Sequence, residues 1–96
     1  MNGLKLYRAG QKALIYNVSP KFKKISITYP EGNVINARFL ISEQLTEEEL
    51  KLISNFETKM RCYIPELEKV NIEVLLFNDD IPFLEFALLA FDDLFS

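Results

Sequence analysis

The chain has 96 residues, of which 49% are hydrophobic and 26% are charged, a composition typical of a globular protein and not of a disordered one. This length has room for one hydrophobic core, so we expect a single domain over residues 1–96. The chain contains one cysteine and no histidine. An internal disulfide is therefore excluded, and the most common general acid–base group is missing.

Charge is distributed unevenly along the chain. Residues 1–42 contain seven basic residues and one acidic residue, whereas residues 43–96 contain thirteen acidic and four basic residues. The formal net charge of −3 therefore conceals two regions of opposite charge. In a chain without catalytic groups, this asymmetry indicates a protein that presents a surface to a charged partner.

The cellular compartment follows from what the sequence lacks. The first eleven residues contain no apolar run of the kind found in signal peptides, and no stretch reaches the ~20 apolar residues of a membrane span. The single cysteine, Cys62, is interpreted as a small buried hydrophobic residue in a reducing compartment. We therefore expect a cytoplasmic protein.

The first predicted element is a β-strand over Lys12–Val18, which is apolar and is ended by Pro20. A β-hairpin follows, because Lys24–Tyr29 and Val34–Ser42 both alternate between apolar and polar residues. The connection Pro30–Asn33 consists of turn-forming residues.

A helix is predicted from about Glu47 to Cys62. Thr46 and Glu49 have the spacing of a capping box, in which each residue's side chain bonds to the other's backbone amide. Apolar residues then recur at helical spacing, namely Leu50, Ile53, Phe56, Met60 and Tyr63. Pro65 predicts the end of this helix.

The last two predicted elements are a strand over Val70–Phe77 and a helix over Phe83–Phe95, with Asp79 and Asp80 as its N-terminal cap. The alternative for the final segment is a strand that forms a hairpin with Val70–Phe77. The predicted order is β-β-β-α-β-α. It indicates an α+β fold, with an antiparallel sheet of about four strands covered on one face by two helices.

No motif predicts catalysis, cofactor binding or metal binding. The three glycines are isolated and do not form a phosphate-binding loop, and the ligand set of a zinc site is missing. Asp79 and Asp80 do not have the spacing of a calcium loop. We therefore expect a protein that is not an enzyme, with no catalytic residue, no cofactor and no metal.

Two features predict a protein–protein interface. The carboxylates of the second half are expected to form an acidic patch, and a final helix that is apolar on nearly every side must leave apolar side chains exposed. The predicted partner-binding residues are Glu66, Glu68, Glu73, Asp79, Asp80, Glu85, Asp92, Asp93, Phe91 and Phe95.

In its small size, acid-rich second half, absence of catalytic groups and apolar interface candidates, the chain resembles the immunity proteins of contact-dependent growth inhibition and colicin systems. The resemblance is one of profile over the whole chain and includes no shared motif, and the basic residues before Ser42 depart from it. It implies binding to a cognate toxin domain, with a nuclease as the expected target. An acidic patch would occlude the basic substrate cleft of such a toxin.

Other functions stay open. A homodimeric adaptor or structural module would use the final helix for self-association, and a phage-type nucleic-acid mimic would have the same acidic signature. A small nucleic-acid-binding regulator would use Lys21, Lys23 and Lys24, which alternatively protect an edge strand from aggregation. Nucleic-acid binding is not expected, because a pI near 4.9 contradicts the basic footprint of such proteins.

Overall fold

A computed structural model describes residues 3–28, 30–78, 80–84 and 86–90. Its elements are α1 (Gly3–Ala13), β1 (Phe22–Ile27), β2 (Val34–Ile41), α2 (Glu47–Tyr63), β3 (Lys69–Leu76) and β4 (Phe86–Ala90). The α+β class is confirmed, but the element order is α-β-β-α-β-β and the predicted order is wrong. Neither helix of the described residues is long and apolar enough to cross a membrane.

The predicted β-hairpin is confirmed as β1 and β2. The two strands are antiparallel, with Ser26 opposite Arg38. Gly32 in the connecting turn has a φ of 64°, which a glycine adopts without the strain of a side chain. The alternating residues face as the sequence indicates, since Ile25 and Ile27 are buried against the helices.

The sheet has the strand order β3-β2-β1-β4, in which β3 is parallel to β2 and β4 is antiparallel to β1. The prediction of an antiparallel sheet is therefore wrong, and the sheet is mixed. The parallel pair exists because α2 lies between β2 and β3 in the chain, and a helix is the usual crossover between parallel neighbours.

Helix α2 confirms the predicted helix and continues one residue further, to Tyr63, ahead of Pro65. Its buried stripe consists of Ile53, Phe56 and Met60, at helical spacing. Cys62 lies away from this stripe and is exposed, so its interpretation as a buried residue is wrong.

The predicted first strand, Lys12–Val18, is wrong, because these residues form the end of α1 and the turn after it. Helix α1 buries Leu6, Ala9, Gly10 and Ala13, which have the spacing of one helical face. Most of this face consists of small residues, and Lys5, Arg8 and Lys12 lie off it, so the sequence carries a helical period that the apolar run Ala13–Tyr16 obscured.

The predicted final helix is wrong over residues 86–90, which form β4, and residues 91–96 lie outside the described residues. The alternative of a strand is confirmed over residues 86–90, but its predicted hairpin with Val70–Phe77 is wrong, because β4 pairs with β1 at the edge opposite β3. The Ala and Leu residues of this segment favour a helix only weakly, and pairing with β1 overrides that preference.

A β-bulge in β4 directs Leu88 toward α1. Ile25 of β1 pairs with Leu89, and the next residue, Ser26, pairs with Ala87. Leu88 therefore has no partner in β1 and is the extra residue of the bulge. Its carbonyl accepts a hydrogen bond from Gln11 Nε2 at 2.8 Å, and its side chain is buried. The bulge therefore joins the last described strand to the first helix.

The hydrophobic core lies between the two helices and one face of the sheet. Phe39 of β2 is at its centre and makes edge-to-face contacts with Phe22 and Phe56, at centroid distances of 5.5 Å and 5.3 Å. These ring contacts connect β1, β2 and α2 in a single packed row.

The connection from β3 to β4 crosses the opposite face of the sheet. Arg38 Nη1 donates to the Pro82 carbonyl at 3.1 Å, and the Leu84 backbone amide donates to Ser26 Oγ at 3.0 Å. Arg38 and Ser26 are paired across β1 and β2 and point away from the helices. Residues 77, 78 and 80–84 therefore form a second, thin layer, which we call the crossing segment.

The predicted cap at Asp79 and Asp80 is wrong, because residues 80–84 form no helix within the described part of the chain. Asn78 instead accepts the hydrogen bonds that fix the local backbone. Its Oδ1 accepts from the Asp80 amide at 2.9 Å and its carbonyl accepts from the Ile81 amide at 3.0 Å. This is an Asx turn, which starts the crossing segment.

Candidate partner-binding site

Four of the ten predicted partner-binding residues are described, namely Glu66, Glu68, Glu73 and Asp80, and all four are exposed. The other six, Asp79, Glu85, Phe91, Asp92, Asp93 and Phe95, lie outside the described residues. The four described carboxylates follow the edge strand β3, from the turn before it to the crossing segment after it. A strand of this length spans ~26 Å at ~3.3 Å per residue. The four carboxylates are therefore spread along the β3 edge of the sheet.

Basic residues from the first half are paired with two of these four carboxylates. Lys5 Nζ lies 3.5 Å from Glu66 Oε2, and Arg38 Nε lies 2.9 Å from Glu73 Oε2. Such solvent-accessible ion pairs contribute little to stability, but each offsets a negative charge locally. Glu68 and Asp80 form no ion pair within the described residues.

A second group of carboxylates occupies the first turn of α2. Glu47 and Glu48 are exposed and have no ion pair within the described part of the chain. The predicted capping box holds this turn, because Thr46 Oγ1 accepts from the Glu49 amide at 3.2 Å and the Thr46 amide donates to Glu49 Oε1 at 2.9 Å. The backbone that carries the two free carboxylates is therefore fixed.

Glu49 connects this helix start to the segment before β1. Its Oε1 accepts from Lys21 Nζ at 2.7 Å, and its Oε2 accepts from the Ser19 hydroxyl. Hydrogen bonds from Lys21, Ser19 and the Thr46 amide, in that order, lower the pKa of Glu49 to about 2. The same carboxylate raises the pKa of Lys21, so both partners are charged at neutral pH.

The lysines that a nucleic-acid-binding regulator would use make contacts inside the protein. Lys21 is bonded to Glu49, and Lys24 Nζ lies 5.3 Å and 4.9 Å from the ring centroids of Phe77 and Phe83 in the crossing segment. Lys23 also has an interaction partner. Lys21 and Lys24 therefore have structural roles in this fold.

A basic surface that the sequence patterns did not indicate lies on α1. Lys5, Arg8 and Lys12 share one side of the helix and, with Leu4 and Tyr63, line an open groove of about 340 Å³. Lys12 Nζ lies 6.0 Å from the centroid of the Tyr63 ring. Much of the positive charge of the first half is therefore on the outside of α1.

The turn after α1 is a further surface feature, which the prediction of a strand over Lys12–Val18 missed. It exposes the apolar side chains of Ile15, Tyr16 and Val18, whereas Asn17 and Ser19 between and after them are buried. The available sequence signal was the sequence Asn17-Val18-Ser19-Pro20, which is rich in turn formers.

A model of the MafI2 immunity protein family matches residues 4–90 of the chain. The match includes all four strands, the whole of α2 and all but the first residue of α1. No curated protein matches the chain. The family match confirms the toxin-immunity resemblance, and it implies a toxin protein as partner. The chain therefore belongs to the MafI2 immunity protein family.

Proposed function

We propose that this protein binds a cognate toxin domain and neutralises it by covering the toxin's basic substrate cleft with carboxylates. The immunity role is supported by the family match over residues 4–90. The mode of action is supported by the first turn of α2, where Glu47 and Glu48 are exposed and without ion pairs among the described residues. On this proposal the protein is cytoplasmic, is not an enzyme and needs no cofactor.

The proposed target is a nuclease. A nuclease must hold a polyanion, so its cleft carries positive charge and attracts an acidic protein of suitable shape. Such attraction raises the association rate and disfavours wrong partners. Glu68, Glu73 and Asp80 along the β3 edge would extend the negative surface, although Arg38 offsets the charge of Glu73.

The test uses the toxin domain encoded by the neighbouring gene, assayed for cleavage of DNA and RNA. We expect an equimolar complex that cannot cleave either substrate. The double variant Glu47→Gln/Glu48→Gln is expected to associate about three- to tenfold more slowly at low salt, because exposed charges near an interface act mainly on the association rate. The rate should also depend less steeply on salt than that of the wild type.

The matched control is Glu31→Gln/Glu57→Gln, which changes the net charge equally but at the β1–β2 turn and in the middle of α2. Its association rate should remain close to that of the wild type. A wild-type protein that neither binds nor inhibits the toxin would contradict the immunity role. Equal rates for both double variants would contradict the carboxylate-based mode and leave the immunity role standing.

A further inference from the structure

The turn between α1 and β1 places three apolar side chains in solvent. The exposed fractions are 54% for Ile15, 94% for Tyr16 and 38% for Val18. A tyrosine that is almost fully exposed gains no hydrophobic stabilisation from the fold. Tyrosine is also among the residues most often found at the energetic centre of protein interfaces.

Tyr16 has a φ of 65°, the left-handed region that residues with a side chain rarely adopt. Glycine and asparagine occupy this region most readily, and a solvent-exposed position offers no packing reason to prefer a tyrosine. Residues held in such conformations tend to lie at ligand clamps and functional sites. The conformation directs the ring away from the body of the protein.

The buried side chain of Asn17 anchors the turn through hydrogen bonds. Its Nδ2 donates to the Ala13 carbonyl at 3.0 Å and to the Ile15 carbonyl at 3.2 Å, and its Oδ1 accepts from Asn55 of α2 at 3.4 Å. The Asn17 backbone amide donates to the Leu14 carbonyl at 2.9 Å. These contacts attach the exposed turn to both helices.

A second anchor follows at Ser19, which is buried. Its hydroxyl donates to Glu49 and accepts from the Lys21 amide at 3.1 Å. Lys21 Nζ in turn contacts Glu49 and the Gln44 carbonyl. Val18 lies between these two anchors, and Tyr16 lies between the end of α1 and the bonded Asn17, so binding through them would cost little ordering entropy.

The anchored turn lies beside the acidic start of α2. Lys21 Nζ contacts Glu49 and lies 3.8 Å from Glu43 Oε1. Glu47 and Glu48 directly precede Glu49 in the first turn of α2. An apolar projection with carboxylates beside it complements an apolar pocket bordered by basic residues. The basic cleft of the proposed toxin would supply the basic residues, and the inference adds an apolar pocket beside them.

We infer that the turn formed by Ile15, Tyr16 and Val18 is the apolar anchor by which this protein seats in a pocket of its cognate toxin. The inference rests on the proposed toxin-neutralising function and adds the contact that sets the lifetime of the complex. The acidic start of α2 governs the association rate, and the Tyr16 ring governs the dissociation rate.

The test compares Tyr16→Asn and Tyr16→Phe in binding to the toxin domain encoded by the neighbouring gene. Asparagine tolerates the left-handed conformation, so the melting temperature of Tyr16→Asn should equal or exceed that of the wild type. Its dissociation constant should rise about 30-fold or more, the loss typical of an interface hot spot, through faster dissociation. Tyr16→Phe keeps the apolar ring and should bind within a few-fold of the wild type.

The control is Leu4→Asn, which makes the same type of change at a residue with 60% exposure at the other end of α1. It should leave binding unchanged. Tyr16→Asn binding that equals wild-type binding would overturn the inference, whereas a wild type that does not bind the toxin would overturn the proposed function. A wild-type dimer that Tyr16→Asn dissociates would also overturn the inference, by assigning the turn to self-association.

Discussion

Glu49 connects two separate parts of the chain through one carboxylate. It accepts hydrogen bonds from the Ser19 hydroxyl, the Lys21 ammonium group and the Thr46 amide. Because all three donors favour the charged form, the pKa of Glu49 falls from 4.5 to about 2. A carboxyl group whose pKa is lower in the folded state stabilises the fold above its unfolded-state pKa, and the stabilisation is lost as the pH falls through the folded-state pKa.

Glu49→Gln is therefore expected to lower the free energy of unfolding at pH 7, where the wild-type carboxylate is charged. The difference between wild type and variant should shrink as the pH falls from about 4.5, and it should vanish near pH 2. Urea unfolding across this pH range measures the effect. A difference between wild type and Glu49→Gln that stays constant from pH 7 to pH 2 would contradict the role of the Glu49 carboxylate.

At the scale of elements, the contact between α1 and β4 depends on Gly10, which has no side chain. A Cβ atom on Gly10 would lie 2.8 Å from both δ carbons of Leu88, closer than real Cβ contacts. Leu88 is itself buried, so its whole side chain would have to move within the core. A glycine inside a helix, which is normally unfavourable, is required here by the close approach of a strand.

Gly10→Ala is expected to destabilise the protein by about 1 kcal/mol, even though alanine favours a helix by about the same amount. The steric contact with Leu88 outweighs the gain in helix propensity. In a Leu88→Ala background the obstruction is gone, so the same substitution should stabilise the protein by up to about 1 kcal/mol. A double-mutant cycle by urea unfolding measures this change of sign, and additive effects would contradict the contact.

At the scale of the whole molecule, the crossing segment gives the sheet its second layer. Because β3 and β4 lie at opposite edges, the chain between them must pass over β2 and β1. Ser26 is buried at the centre of this layer, where its hydroxyl accepts from the Leu84 amide. The two faces of the sheet therefore differ: helices pack on one, and the crossing segment covers part of the other, where Asn36, Asn71 and Glu73 stay exposed.

Ser26→Ala would leave the Leu84 amide without its acceptor. We expect a loss of about 0.5–1.5 kcal/mol in the free energy of unfolding, the usual net contribution of one hydrogen bond, because Leu84 is only half-buried. Hydrogen exchange at Leu84 should accelerate, and exchange in α2 should change less. Ser42→Ala, at an exposed serine, is the control, and equal stability of the two variants would show that the crossing segment is not held by this bond.

The sequence by itself determined the elements whose signals are local. The strict alternation of apolar and polar residues and the turn Pro30–Asn33 specify the β1–β2 hairpin. The Thr46–Glu49 capping box and Pro65 mark the two ends of α2. The overall acid and base content also indicated a binding protein, in agreement with the family match. For the hairpin and for α2, residues within a few positions of one another carry the physical cause.

Only the tertiary structure decided β4, the sheet order and the use of small residues on the face of α1. The face of α1 has small residues because Leu88 packs there, and β4 is a strand because β1 offers it an edge. The candidate site follows the same division, since the turn that exposes Tyr16 is held by bonds from Asn17 and Ser19 to α2. Contacts between residues far apart in the chain outweigh local propensities of a few tenths of a kcal/mol, and no local pattern records them.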